Sequence, residues 1–391
     1  MTLATSLPQH RQQFPSLSHG HYFNFGGQGP MPQVSLDVLM SAHQRFQTLG
    51  PFSGRVNQWI EAQTQAVRGA IAAELQVAPQ TITLTDSVTT GCNIPLWGID
   101  WQRGDHVLLS DCEHPGIIAT VQELQHRFGV EASTCPLMET LNAGDPAAVV
   151  RAHLRPSTRL LVVSHILWNT GQVLPLREIV EVCHGQGVQV LVDAAQSVGV
   201  LPLNLGELEA DFYAFTGHKW LCGPAGLGGL YIHPSALDTL RPTFIGWRSI
   251  TKDGSGNPTG YQPDGRRFEI ATSDYALYPA LSEAIALHND WGAASDRYGR
   301  ICELSGYLWQ SLQKIDRVRC LRTASPEAGL VSFVVEPRDG MSHAQLVAQL
   351  EQENIMVRTI LDPDCIRICT HYVTTEEEID HLLGVMGGLL S

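Results

Sequence analysis

A lysine at the end of an apolar run is the first candidate for chemistry in this sequence. Lys219 closes the segment TGHK (216–219), which separates the run DFYAF (211–215) from a glycine-rich turn and a second run, GGLYI (228–232). Lysine is among the residues least often fully buried without a partner. Its amine therefore either leaves the strand end for water or is held in a covered site for covalent chemistry. The second interpretation requires complementary groups on neighbouring strands.

Polar residues also follow the other apolar runs, and parallel strands would bring their carboxyl ends together at one edge. Several have a plain structural alternative: a helix N-cap, a structural histidine, or an asparagine that ties down a loop. A buried aspartate at a strand end is costly unless a cation or several donors meet it. The candidates are Thr89 and Thr90 after 81–85, His114 after 106–110, Asn169 after 159–166, Asp193 and Gln196 with 188–194, and Thr216 and His218 after 211–215.

Taken together, these groups match the needs of one cofactor, pyridoxal 5′-phosphate (PLP). PLP requires a lysine that bonds to its aldehyde, an acid facing its pyridine nitrogen, a phosphate seat and a flat group against the ring. Asp193 would keep the ring nitrogen protonated, so that the ring withdraws electrons from the Cα of a bound amino acid. Thr89 and Thr90, with free N–H groups at a helix start, would hold the phosphate. The pattern predicts that Lys219 bonds covalently to PLP.

The order of the runs predicts the scaffold. Between about residues 80 and 235, strand-like runs alternate with amphipathic segments, which indicates an α/β fold with a mostly parallel sheet flanked by helices. From about residue 297 the pattern is typical of a small α+β domain. We expect an N-terminal arm (1–20), a large PLP-binding domain (21–285) and a small C-terminal domain (286–391). The segment 248–269 is rich in Gly, Pro, Asp and Asn and is expected to be a long surface loop.

The composition narrows the classes of molecule that the protein is expected to bind. The 391 residues carry a net charge of −14, which argues against nucleic acid or an anionic membrane, since phosphates would be repelled. No stretch approaches the ~20 apolar residues of a membrane span, and the first 20 residues are not of signal-peptide type. The nine cysteines are scattered and the sixteen histidines form no metal-ligand motif. We expect a cytoplasmic protein with reduced thiols and no metal.

Five segments resemble one family: HPGI, HILWNTGQVLPL, VLVDAAQSVG, DFYAFTGHKWLCGPAGLGGLYI and RRFEIATSD. They are similar to the cysteine desulfurases and related lyases, the class-V branch of the fold-type-I PLP transferases, and more narrowly to the cystine C–S lyases among them. The likeness covers nearly the whole chain. It implies the fold-type-I architecture and a homodimer with a shared active site.

The resemblance also implies roles for individual residues. Lys219 would bond to the cofactor and act as the catalytic base, and His114, also expected to be catalytic, would stack on the ring. The arginine in CIRICT, Arg367, would grip the substrate carboxylate, for which a guanidinium fork is suited. Arg358 would assist, although a surface salt bridge explains it equally well. The remaining implied roles are Asp193 for the pyridine nitrogen, Gln196 for the ring hydroxyl, Asn169 close to ring and substrate, Thr89, Thr216 and His218 for the phosphate, and Thr272 for the phosphate of the partner subunit.

One departure from the family decides the predicted reaction. Desulfurases carry a mobile loop with a nucleophilic cysteine between the two arginine positions, but here only RTILDPDCIR joins Arg358 to Arg367. Cys365 would lie on a strand as a packing residue. Without a sulfur-accepting thiol, the site should release pyruvate, ammonia and a persulfide by β-elimination. L-cystine is chemically attractive, because a persulfide leaves more readily than a plain thiolate.

Other functions stay open at this point. A cysteine desulfurase or selenocysteine lyase would give alanine, and an epimerase-like member would change configuration without releasing ammonia. A non-catalytic homologue in sulfur assembly is a further alternative, although it need not retain Lys219, Asp193, Gln196 and His114. A protein that accepts persulfide sulfur is a possible partner besides the small-molecule substrate.

Overall fold

The computed structural model describes residues 6–336 and 340–390. The first five residues of the expected N-terminal arm lie outside this range. The strands of the described ranges form a seven-stranded sheet, a four-stranded sheet and two two-stranded pairs. The helices are α1 Leu7–Arg11, α2 Gln33–Thr48, α3 Gly54–Glu74, α4 Val88–Gly98, α5 Pro115–Phe128, α6 Pro146–His153, α7 Leu176–His184, α8 Leu205–Leu208, α9 Leu277–Trp291, α10 Ala294–Leu312, α11 His343–Gln352 and α12 Glu376–Leu390.

The large sheet has the strand order β2-β8-β7-β6-β5-β3-β4. Its strands from β7 to β4 are parallel, whereas β8 runs antiparallel to both neighbours. Central strands such as β5 and β6 are almost uniformly apolar because helices cover both faces of the sheet. The strands are β2 Ile82–Thr85, β3 His106–Ser110, β4 Glu131–Cys135, β5 Thr158–Ser164, β6 Gln189–Asp193, β7 Phe212–Thr216 and β8 Gly228–Ile232.

A switch in strand order marks where a ligand can enter this sheet. The chain passes from β3 to β4 on one side and then returns to β5 on the other side of β3. Such switch points open a crevice outside the carboxyl ends of the strands. The segments that follow β3, β5, β6 and β7 therefore converge on one region.

The small sheet is antiparallel, with the order β11-β12-β15-β14. Its apolar side chains pack with α10, α11 and α12 into a separate core, which includes Phe333, Ile366 and Ile368. The hairpin β14–β15 is tight, since only two residues separate its strands. The strands are β11 Val318–Cys320, β12 Leu330–Val335, β14 Arg358–Leu361 and β15 Asp364–Cys369.

The N-terminal segment joins the two sheets. The short strand β1 His21–Tyr22 pairs in parallel with β13 Ile355–Met356. Beyond it, Phe23 N donates to the Met356 carbonyl at 2.9 Å, and the Phe23 carbonyl accepts from Cys369 N at 2.8 Å. The chain then crosses towards the turn that follows β7. We call residues 23–29 the N-terminal strap.

The predicted fold is confirmed, with two local differences. The segment 248–269 is not a featureless loop, because β9 Ile250–Lys252 and β10 Pro258–Tyr261 form an exposed antiparallel hairpin within it. The strand β4 was not foreseen, since EASTC lacks a strong apolar pattern and lies at the sheet edge. The expected division between residues 285 and 286 falls inside α9, and the domain boundaries stay a prediction.

Candidate active site

The turn after β7 places Lys219 where two sheets meet. The side chain is partly buried and makes no hydrogen bond with the described residues. Burial lowers the pKa of its amine to about 8; the negative charge of Asp193 opposes this shift, and the positive charges of Arg367 and Arg358 add to it. A lysine with such a pKa is substantially neutral near pH 8, which a nucleophilic or basic amine requires.

The carboxylate predicted to face the cofactor nitrogen lies at the end of β6. Asp193 is 7% exposed, and one of its oxygens accepts from Ala195 N at 2.9 Å. A buried carboxylate with unused acceptor capacity suits a protonated heterocyclic nitrogen. Asp193 is thus compatible with the predicted role, and its contact with a cofactor nitrogen stays a prediction.

Gln196 has protein partners at both ends of its amide. Its Nε2 donates to the Gly26 carbonyl at 2.9 Å, and its Oε1 accepts from Trp220 Nε1 at 2.8 Å. It thus ties the N-terminal strap to the residue after Lys219. The second Nε2 proton is left for the predicted contact with a ring hydroxyl, which stays a prediction.

The predicted phosphate residues fall into two groups. Thr216 Oγ1 and His218 Nδ1 lie 2.6 Å apart beside the lysine turn. Thr89 and Thr90 lie in the first turn of α4, whose N-cap is Ser87; the Ser87 hydroxyl accepts from Thr90 N at 3.1 Å. The simple N-cap explanation is therefore correct for Ser87, and the helix start still presents its positive dipole end.

Thr272 shares a cavity with the start of α4. The cavity has a volume of about 980 Å³ and is lined by Thr89, Thr90, Thr272, Phe244 and Tyr278 among others. Lys219 and Arg367 do not line it. Thr272 is exposed. Its contact with the phosphate site of a partner subunit stays a prediction.

His114 is the N-cap of α5, and its ring orientation follows from that position. Nδ1 accepts from Gly116 N at 3.2 Å, which leaves the proton on Nε2 in the neutral ring. The ring meets Trp168 edge-on, with centroids 6.0 Å apart. Partial desolvation of the imidazole by neighbouring protein atoms lowers the pKa of His114. The neutral ring therefore dominates at pH 7.

Arg367 is the most unusual charged residue of the described chain. It is 1% exposed, and its Nη1 donates to the Trp168 carbonyl at 2.7 Å. Its Nε and Nη2 are buried without a hydrogen-bond partner, and no carboxylate of the described residues pairs with it. A buried cation without an anion is strongly unfavourable. The free Nε–Nη2 edge is the geometry that binds a carboxylate through two parallel hydrogen bonds.

Arg358 lies opposite Arg367 in the β14–β15 register. It is exposed and forms no ion pair with the residues that the structure describes, so the surface salt bridge does not occur there. Neighbouring protein atoms partly desolvate its guanidinium and lower its pKa, and the charge of Arg367 lowers it further. Two neighbouring cations on one hairpin create a strongly anion-attracting surface.

The hairpin leaves no room for a mobile cysteine. Cys365 is fully buried on β15, and burial raises the pKa of its thiol to about 12. Of the nine cysteines, eight are buried and Cys302 is intermediate. A buried thiol of high pKa is a poor nucleophile. The prediction that Cys365 is a packing residue on a strand is confirmed.

Asn169 stands between the two sheets. Its Nδ2 donates to the Asp362 carbonyl at 3.1 Å, and its own carbonyl accepts from Ser332 Oγ at 2.6 Å. Its Oδ1 is buried without a partner, as is Trp168 Nε1. The loop-tying role is thus real, yet one acceptor remains for a ligand.

Two contributors were missed from the sequence. Glu113, directly before His114, is 4% exposed; it accepts from Ser164 N at 2.9 Å, from Ser164 Oγ at 3.0 Å and from Ser110 Oγ. Burial raises its pKa to about 8, and Asp193 adds to the rise. A charged residue next to a candidate histidine was a usable signal. The strap was the second omission, and its glycine-rich FNFGGQG was the signal.

The residues present fit PLP. The structure supplies an amine of lowered pKa, a buried carboxylate, a helix N-terminus and a guanidinium with an unpaired edge. These groups match the aldehyde, pyridine nitrogen and phosphate of the cofactor and the carboxylate of an amino-acid substrate.

Comparison with known proteins agrees with this geometry. The sequence model of the aminotransferase class-V family matches residues 26–382. The chain belongs to the class-V aminotransferase family. This class-V protein is 30% identical over 380 residues to isopenicillin N epimerase of Streptomyces clavuligerus, with 94% of each chain covered. It is 32% identical over 260 residues to a probable cysteine desulfurase of Vibrio cholerae, covering 66% of this chain and 61% of that protein.

Solved structures of the cystine C–S lyase C-DES resemble this class-V protein throughout. One contains the reaction product cysteine persulfide and matches with a TM-score of 0.94 and 52% identity, over 96% of this chain and 99% of that one. Another, a lysine-to-alanine variant with glycine covalently linked to PLP, matches with a TM-score of 0.95 at 52% identity, over 96% and 98%. The predicted family and fold type are confirmed.

Two findings bear on the expectations that the chain has no membrane span and no metal site. None of the helices in the described part of the chain has the length and hydropathy needed to cross a membrane. Within residues 6–336 and 340–390, no group of three His, Cys, Asp or Glu side chains is arranged to hold a metal ion.

Proposed function

We propose that this protein is a PLP-dependent carbon–sulfur lyase that cleaves L-cystine or a related cysteine derivative by β-elimination. L-Cystine and water would give pyruvate, ammonia and cysteine persulfide. The observation that carries the proposal is the β14–β15 hairpin, in which two residues join the strands and Cys365 is fully buried. A desulfurase mechanism requires a thiol that can reach the substrate sulfur and then leave with it. The hairpin provides none.

The residues around the crevice divide the work. PLP, when bound, supplies an electron-withdrawing ring that stabilises negative charge at the substrate Cα. Lys219 would bond to the cofactor aldehyde, Asp193 would hold the proton on the ring nitrogen, and His114 would lie against the ring. Thr216, His218 and the start of α4, with Thr89 and Thr90, would hold the phosphate.

The substrate would be fixed by its α-carboxylate. Arg367 offers Nε and Nη2 as parallel donors, and an incoming carboxylate would neutralise a charge that is otherwise buried alone. Asn169 Oδ1 is a buried acceptor without a partner and would suit a donor of the substrate such as its amine. Arg358 is free to bind a second anionic group of a longer substrate such as cystine. We assign these three side chains to substrate binding.

Lys219 would also move the proton. With the substrate bound, its Nζ, whose pKa is lowered to about 8, would take the Cα proton. The Cβ–S bond then breaks, and the sulfur leaves with the bonding electron pair as a persulfide anion. A persulfide is a better leaving group than a simple thiolate because its conjugate acid has a lower pKa.

The wider assembly belongs to the same proposal. We expect a homodimer in which Thr272 contacts the phosphate site of the partner subunit. Phe244 lines the cavity that contains Thr272, and Phe244, Ile245 and Trp247 are all exposed. Exposed apolar clusters of this kind mark protein–protein interfaces. We further expect the protein to act in the cytoplasm, where nine free thiols stay reduced, and to hand persulfide sulfur to an acceptor protein, for example in iron–sulfur cluster assembly.

The deciding experiment is a complete product analysis. The holoprotein is incubated separately with L-cystine, L-cysteine and L-cysteine sulfinate, and every product is identified. Pyruvate and ammonia in equal amounts with a persulfide support the lyase. Accumulation of alanine instead would establish a desulfurase and refute the proposal. The Lys219→Ala variant controls for elimination by free PLP.

An amino-acid epimerase is the second candidate. It is favoured by the 30% identity to isopenicillin N epimerase over 94% of both chains. The same active site could return the proton to the opposite face of Cα instead of expelling a Cβ substituent. A change of configuration in amino acids without ammonia release would select this activity.

A further inference from the structure

The N-terminal strap lies against the guanidinium of Arg367, which is buried without an anion among the described residues. Gly26 is buried, and a Cβ added to it would lie 2.9 Å from Arg367 Nη2 and 3.1 Å from Arg367 Cζ. The same Cβ would lie 3.0 Å from Gln196 Oε1. Distances below about 3 Å are not compatible with a real side chain. These side-chain ends are restrained, because Arg367 Nη1 is bonded to the Trp168 carbonyl and the Gln196 amide is bonded at both ends, so a side chain at position 26 would be crowded.

The strap is held firmly at both ends. Phe23 hydrogen-bonds on two sides, to Met356 of β13 and to Cys369 of β15 in the small sheet. Phe25 stacks on His371 with centroids 4.6 Å apart. At the other end the Gly26 carbonyl accepts from Gln196 Nε2, and Gly29 N donates to the His218 carbonyl at 2.8 Å. The strap is a fixed part of the site and connects Arg367 with the lysine turn.

The turn that contains Lys219 also packs closely against the N-terminal strap. A Cβ added to Gly29 would collide with the Lys219 carbonyl. The strap is therefore in van der Waals contact with the backbone of the predicted catalytic lysine and with the side chain of the predicted carboxylate ligand. Asn24, between Phe23 and Phe25, has a buried Oδ1 without a partner, so the strap also carries an unused polar group.

We propose that the N-terminal strap forms a wall of the substrate-carboxylate pocket, and that Gly26 is a specificity-determining position because a side chain there would occupy the space beside the unpartnered Nε–Nη2 edge of Arg367. This inference rests on the proposed function. It assigns the strap to substrate recognition and not to cofactor binding. An amino acid with a free α-carboxylate is the ligand class that the wall selects.

The test compares two disulfides that differ in their carboxylates. L-Cystine has two, and cystamine, its decarboxylated analogue, has none, while both carry primary amines that can react with the cofactor. Each is titrated into the PLP-loaded parent, Gly26→Ala and Gly69→Ala proteins, and the change in visible cofactor absorbance gives an apparent Kd. Gly69 lies in α3, where an added Cβ meets nothing within 4 Å, and this variant is the matched control.

Gly26→Ala should weaken cystine binding about tenfold or more, because the methyl group displaces or covers one of two charge-assisted hydrogen bonds. The Kd for cystamine and for PLP should stay within about twofold of the parent. Equal weakening of both disulfides would indicate a general distortion and overturn the inference. Unchanged cystine binding would do the same.

A measurement on the parent protein keeps the test decisive if Gly26→Ala does not fold. Amide hydrogen exchange of residues 23–29 is followed in the PLP-loaded parent with saturating cystine and with saturating cystamine. Cystine should slow exchange in the strap more than cystamine does, because only cystine has a carboxylate to place against Arg367. Equal protection of the strap by both disulfides would count against the wall.

Measurements on the parent protein distinguish a failure of this inference from a failure of the proposed function on which it rests. A parent that binds PLP and cleaves cystine, with a Gly26→Ala variant that binds cystine equally well, overturns the wall alone. A parent that cannot be loaded with PLP overturns the proposed function and the wall together.

Discussion

Lys219 and Arg367 are buried cations from different sheets, and the protein treats them in opposite ways. The large sheet delivers Lys219, and burial lowers the pKa of its amine to about 8. The small sheet delivers Arg367, whose guanidinium is buried and has an unpaired edge. The lysine can relieve its desolvation by losing a proton, but the arginine needs an anion. The large sheet is thus suited to chemistry and the small sheet to holding a substrate.

The largest effect should come from the chemical half of this comparison. Lys219→Ala removes both the amine that bonds to PLP and the base at Cα, so pyruvate release from cystine should fall about a thousandfold or more. The covalent cofactor absorbance should be lost as well. Lys314→Ala, at an exposed position, is the control and should leave both unchanged. Normal elimination by Lys219→Ala would break the comparison on the side of the large sheet.

The binding half is tested by Arg367→Lys. The ammonium retains the charge but cannot offer two parallel donors, and losing a hydrogen bond to a charged group costs about 1.5–3 kcal/mol. KM for cystine should therefore rise about 10- to 100-fold while the Kd for PLP changes little. Arg319→Lys, on an exposed position of β11, controls for the substitution itself. Comparable losses of cystine and PLP binding would show that the two sheets do not divide the work.

The buried carboxyl of Glu113 has no cationic partner among the described residues, and it extends the comparison to the pH dependence of the free energy of unfolding. Its pKa is raised to about 8 in the folded protein, so between about pH 4.5 and 8 only the unfolded chain releases this proton, and stability falls as pH rises. Glu113→Gln removes this loss. The variant should gain stability relative to the parent between pH 5 and pH 8, by an amount of the order of a few kcal/mol.

Denaturant unfolding of the holoproteins at the two pH values measures this gain. Glu351→Gln, at an exposed position on α11, should show no pH-dependent difference from its parent. A Glu113→Gln variant that loses stability equally at both pH values would mean that Glu113 is ionised throughout. The three donors from Ser110 and Ser164 would then outweigh burial.

The smallest effect is expected at Cys365. Because its side chain is fully buried and its thiol has a pKa of about 12, Cys365→Ala should leave kcat for cystine within about twofold of the parent. A modest loss of thermal stability would report the missing sulfur. Loss of turnover in a folded Cys365→Ala protein that still binds PLP would contradict the lyase mechanism and return the chain to the desulfurases.

Much of the site was accessible from sequence because the relevant signals are local. Apolar runs of 5–7 residues define β3, β5, β6 and β7, and parallel pairing forces whatever follows them to the same edge. Lys219 and Asp193 could therefore be assigned from their positions alone. The short connection between Arg358 and Arg367 equally predicted a tight hairpin without a mobile thiol.

The remaining features depend on contacts between segments far apart in the chain. Nothing local in FNFGGQG indicates that Gly26 meets Gln196 and Arg367, because those contacts span 170 residues and more. The engagement of both ends of the Gln196 amide and the burial of Glu113 are equally non-local. Both depend on partners from other segments, Gly26 for Gln196 and Ser164 for Glu113, which periodicity does not encode.

The sequence by itself determined the chemistry this chain can perform, since residue type and order at strand ends fix which groups meet at the sheet edge. Only the tertiary structure decided the state of those groups: a lysine whose amine is readily deprotonated, an arginine without its anion and a glycine pressed against it. The physical reason is desolvation. The cost of burying a charge depends on every atom around it, and those atoms come from the whole chain.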